Sequence, residues 1–101
     1  MAAQDRAFYG SEMKYLVEIT SPGFSMQTDD FKIELKRGGN SKVFMKEDLV
    51  YREGDFYLCF DTTDFGPGTI TATMTAYVPD DDFEDGIRTE VFKFDFMSVD
   101  K

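Results

Sequence analysis

Between Thr69 and Val78 the chain reads TITATMTAYV, and apolar and polar side chains alternate without a break over ten residues. Ile70, Ala72, Met74, Ala76 and Val78 share one face, and Thr69, Thr71, Thr73, Thr75 and Tyr77 share the other. A period of two marks a β-strand with one buried face. The threonines suit the outer face, since their branched β-carbons fit a pleated surface and their hydroxyls meet water or a cross-strand partner. A slip of one residue would bury five polar side chains, so the pairing register of this strand is firmly set. An acidic run, PDDDFEDG, follows it, and then IRTEVFKFDFM, which is placed to fold back on the first strand.

The other segments follow the same rule. MKYLVEIT puts Met13, Tyr15, Val17 and Ile19 on one face, with Leu16 as the exception. In FKIELKR, Phe31, Ile33 and Leu35 alternate with Lys32, Glu34 and Lys36. Gly38, Gly39 and Asn40 read as the turn closing that strand, which directs Val43 and Met45 inward and Lys42, Phe44 and Lys46 outward. A short segment around Leu49 and Tyr51 comes next, where a helix over Lys46 to Arg52 is the alternative. In FYLCFDT, Phe56, Leu58 and Phe60 face one way, and Tyr57, Cys59 and Asp61 the other. The connection TTDFGPG reads as a hairpin link to the threonine strand. In the last segment Ile87 and Val91 have one parity and Phe92, Phe94 and Phe96 the other, the mark of a β-bulge or of a strand that changes sheets.

Six to seven short strands with turn signals every eight to twelve residues predict an all-β fold, a two-layer antiparallel β-sandwich of immunoglobulin-like order. The expected organisation is one domain over residues 1–101, with residues 1–7 a frayed tail. An apolar content of 42% with 16% aromatics is too rich for a disordered chain.

Eleven basic against twenty acidic residues leave a net charge of −9, which speaks against nucleic acid or an anionic membrane surface as partner. No window approaches a membrane span, and MAAQDRAFYG lacks the apolar core of a signal peptide. The expected location is the cytoplasm before assembly, or the cell surface or exterior if a leader was removed. The single cysteine, Cys59, excludes an intrachain disulfide and reads as a small buried hydrophobe.

Asp80, Asp81, Asp82, Glu84 and Asp85 crowd five carboxylates into six positions. Asp80, Asp82 and Glu84 offer alternating oxygen ligands of the kind a calcium ion requires. An EF-hand needs glycine where Asp85 stands, so a solvated turn pinned by an inward Phe83 is the favoured expectation. The pairs Asp29 with Asp30 and Asp61 with Asp64 would serve glycoside hydrolysis only in a cleft with two converging carboxyls. With no histidine and no nucleotide-binding or zinc motif, the chain is expected to be no enzyme and to need no cofactor. Tyr57 and Tyr77, on the polar faces of strands expected to be adjacent, are the candidate interaction residues.

The run GPGTITATMTAYVPDDDFEDGIRTEV, Gly66 to Val91, resembles a segment of phage-derived proteins of gut Bacteroidetes, in which a small N-terminal β-sandwich precedes tail-fibre or baseplate-like modules. Their turn, PDxDFPDGxR, is matched at Pro79, Asp80, Asp82, Phe83, Asp85, Gly86 and Arg88 and departs at Glu84, where that family tends to have proline. MKYLVEITSPGFSM and EGDFYLCFDTTDFGPG are similar as well. The resemblance implies a virion structural module, with self-association or other virion or surface proteins as partners and no catalytic residues. The competing expectation is a carbohydrate- or cell-surface-binding module of a secreted bacterial protein, calcium-dependent through the acidic turn.

Overall fold

A computed structural model describes residues 5–101. Eight strands form two sheets: β1 (Asp5–Phe8), β2 (Glu12–Val17), β3 (Phe31–Arg37), β4 (Asn40–Met45), β5 (Val50–Arg52), β6 (Asp55–Asp61), β7 (Gly68–Pro79) and β8 (Ile87–Asp100). The larger sheet has the order β1-β8-β7-β3-β4 and the smaller β2-β6-β5. Their inner faces pack together as a β-sandwich around Phe31, Ile33, Leu35, Phe65, Ile70 and Val78, all 0–1% exposed. Phe31 meets Phe56 edge-on across the layers at 5.5 Å, and Phe60 meets Phe65 at 5.7 Å.

The alternation in β7 produces the burial it predicts: Ile70, Ala72, Ala76 and Val78 are buried on the inner face, with Met74 partly so. β7 and β8 form the antiparallel hairpin at the centre of the molecule, whose long axis of 47 Å equals what the 14 residues of β8 span at ~3.4 Å each. The parity switch between Val91 and Phe92 marks no bulge, since the pairing with β7 is regular from Ile87 to Asp95; the bulge lies further on, where Thr71 pairs with Asp95 and Ile70 with Met97, so Phe96 is the extra residue.

Several expectations are corrected. The described residues hold eight strands, because Asp5–Ala7, expected to fray, join Phe8 in a strand that pairs in parallel with Met97–Asp100; residues 1–4 lie outside the described residues. Lys46–Asp48 is a single 3-10 turn leading into β5. β6 and β7 are no hairpin, since they belong to different sheets. A second 3-10 turn, Thr62–Asp64, and the buried Phe65 carry the chain across the core between them.

Val43 and Met45 face outward, 50% and 42% exposed, and Phe44 is buried, so Lys42, Phe44 and Lys46 form no outward patch. The turn decides this. Arg37 pairs with Asn40, which makes the loop two residues rather than three, and every later side chain in β4 changes face.

Candidate interaction surface

The surface follows from a mismatch in length. β7 and β8 run for 12 and 14 residues, whereas the strands of the smaller sheet run for only three to seven. Six residues of β2 cannot roof fourteen of β8. By register, Arg88, Glu90, Phe92 and Phe94 stand across from Val78, Ala76, Met74 and Ala72, on the face that is core elsewhere in the sheet. What covers β8 changes along its length.

At its C-terminal end β8 is roofed. Met97 and Val99 are buried, and Phe96 packs edge-on against Tyr15 of β2 at 4.7 Å and lies 6.1 Å from Phe60 of β6. The Tyr15 hydroxyl points at the Met97 sulfur, 4.0 Å away. Burial, with the Asp5 carboxylate nearby, pushes the Tyr15 phenol up to about 12.

The other end is closed by polar contacts and the β2–β3 connection. Arg88 pairs with Asp80, donates from Nε to Glu90 at 2.8 Å and from Nη2 to the Pro22 carbonyl at 2.6 Å. The Ser21 hydroxyl donates to the second Glu90 oxygen at 2.6 Å. This bond and the Arg88 guanidinium hold the Glu90 carboxyl below its usual range, and the bond to Glu90 raises Arg88.

Phe92 and Phe94 lie between the two closed ends and remain 37% and 42% exposed. They floor an open cleft of about 510 Å³ whose opposite wall is Leu16, Glu18 and Ile19. Leu16 itself is 48% exposed. Among the described residues, β1 pairs only with Met97–Asp100, and none pairs with that edge of β8 from Ile87 to Phe96. An apolar cleft therefore lies beside a ten-residue stretch of open sheet edge.

The residues singled out from the sequence lie elsewhere. Tyr57 is on β6, beneath the Lys14 ammonium at 4.6 Å, and Tyr77 is on β7, so they occupy outer faces of different sheets and form no common patch. Asp80 spends its oxygens inside the turn, one on Arg88 and one accepting the Asp82 N–H at 3.0 Å. Asp82 and Glu84 are exposed, and among the described residues no three metal-ligating side chains converge. Phe83 is 47% exposed instead of pinning the turn, and Cys59 is exposed because its neighbours Leu58 and Phe60 take the inner face. Asp61 accepts from Thr63 and Asp29 accepts from the Ser25 amide, each within its own turn, while Asp64 pairs with Lys42 of β4. The parity of Phe92, Phe94 and Phe96 was the available signal for the cleft, but alternation alone does not reveal which part of an inner face another layer covers.

Comparison with protein-family models, curated proteins and solved structures finds no match to this chain.

Proposed function

We propose that this protein is a non-enzymatic assembly module, a phage- or prophage-derived tail or baseplate-type domain that works through protein–protein contacts. The observation that carries the assembly reading is the exposure of Phe92 and Phe94 on the inner face of the larger sheet, beside a strand edge that no described residue pairs. An open edge supplies backbone donors and acceptors to a partner strand, and the neighbouring cleft supplies apolar area, the two ingredients of strand addition. The phage origin rests on the Pro79–Arg88 resemblance. The turn supports a structural role for its acidic residues, since Asp80 is tied to Arg88 and Asp82. Sedimentation velocity over a concentration series, with EDTA and with calcium, tests the reading. Association that EDTA leaves unchanged is expected. A strict monomer whose melting temperature rises with calcium would mean a calcium-dependent binding module instead.

A further inference from the structure

Resting on the assembly reading, we infer that a second copy of this chain adds to the open edge of β8, antiparallel, about a two-fold axis at Val91 or Phe92. The two larger sheets then become one continuous sheet.

Charge at this edge admits a like partner. The chain carries −9, yet Ile87–Phe96 holds two basic residues, Arg88 and Lys93, against two acidic ones, Glu90 and Asp95, and is locally neutral. A strand of the same composition meets it without the repulsion that the rest of the surface would impose. The stretch contains no proline, and its middle carries Phe92 and Phe94 inward and a 60% exposed Val91 outward. Its guards are the inward Arg88 and Glu90, Lys93 and the bulge at Phe96, which leave Val91 and Phe92 as the least protected point of the edge.

The register follows by elimination. In a two-fold antiparallel pair the central residue faces its own copy, and residues equally spaced on either side face each other. A centre at Glu90 sets two glutamates directly opposite, and a centre at Lys93 sets two lysines opposite; both are unfavourable. Because β1 already occupies the position across from Met97, a centre at Phe94 or beyond confines the ladder to Phe92–Phe96 or less. A centre at Thr89 or earlier pairs five residues at most and leaves both phenylalanines outside the ladder. Val91 and Phe92 remain. Either centre joins the two apolar clefts around the axis.

The experiment uses the full chain with Cys59→Ser, adding Val91→Cys, Phe92→Cys or, as a control, Asp95→Cys. Opposed residues in an antiparallel ladder have Cα atoms ~4.5–5.5 Å apart, within disulfide reach. In a glutathione buffer, the Val91→Cys or the Phe92→Cys chain is expected to form a covalent dimer at least tenfold faster than the Asp95→Cys chain. Val91→Lys is expected to weaken association at least tenfold, since the new lysine faces itself or Lys93. Val91→Asp separates the two centres: it weakens association if Val91 is central and strengthens it, by facing Lys93, if Phe92 is. An oligomer that neither cysteine cross-links, and that Val91→Lys leaves intact, overturns the inference while the assembly reading stands. A monomer at every concentration overturns both.

Discussion

Phe92 stands directly across the β7–β8 ladder from Met74, on the face that forms the core elsewhere in the sheet, and yet is 37% exposed. Its exposure comes from the layer above. The smaller sheet roofs β8 at Phe96 and Met97, the Ser21–Pro22 segment closes the far end at Glu90 and Arg88, and neither reaches the middle.

Replacing Phe92 and Phe94 together by serine is therefore expected to cost no more than about 1 kcal/mol per site, as for residues outside a packed core. Phe31→Ala, at a position 1% exposed, is expected to cost ~3–5 kcal/mol. Urea denaturation of the two variants checks the contrast. The serine pair should also abolish association in sedimentation while leaving the far-ultraviolet circular dichroism unchanged.

Thr62 ties the β1–β2 turn to the β6–β7 crossing. Its fully buried hydroxyl accepts the N–H groups of Gly10 at 2.9 Å and Ser11 at 3.0 Å. Thr62→Val keeps the shape but strands the Gly10 donor, while the Ser11 N–H keeps the Phe8 carbonyl at 3.1 Å, with an expected loss of ~1–3 kcal/mol. Thr62→Ser retains the acceptor and is expected to lose much less. Chemical denaturation of both variants separates the hydrogen bonds from the packing.

Stability should fall in acid, in part through Glu90. Its carboxyl lies below the usual value of 4.5 because Ser21 and Arg88 hold the ionised form. The unfolded chain therefore takes up a proton first as pH falls. The stabilisation is complete above the unfolded value and is lost as pH drops through the folded one. Asp61, lowered by the Thr63 amide, acts in the same sense. Urea midpoints from pH 7 down to pH 3 are expected to show Glu90→Gln less stable than the parent at neutral pH, with the gap closing in acid.

At alkaline pH the sign comes from Tyr15. Its phenol, raised from 10.0 to about 12, keeps its proton when the unfolded chain has already lost it, so stability declines as pH rises through that interval. Ultraviolet titration of the five tyrosines is expected to show a late phase near pH 12 that Tyr15→Phe removes.

Much of the fold was legible because period-two alternation reports burial directly: β3, β6 and β7 bury the side chains their patterns assign. The errors lie where one residue of turn geometry changes everything after it. Counting Asn40 in the turn reversed β4, and only the pairing of Arg37 with Asn40 reveals the shorter loop. Phe65 misled in another way. It looked like part of a hairpin link, but it is a core residue at a crossing between sheets, where Arg37 Nε and Asn40 Nδ2 donate to its carbonyl. Long-range contacts of this kind leave no local signature. The cleft was half legible: the parity of Phe92 and Phe94 gave their face, but their exposure depends on how far β2 extends above them, which no pattern within β8 encodes.

Amide hydrogen exchange along β8, measured in dilute and in concentrated solution, tests the open edge and its use most directly. In dilute solution, alternate amides between Ile87 and Phe96 are expected to exchange fast, while their neighbours facing β7 and the amides of Met97–Asp100 exchange slowly. On concentration, protection should rise at those fast amides and nowhere else to the same degree. Uniform protection along β8 in dilute solution, or fast exchange that concentration leaves unchanged, would contradict it.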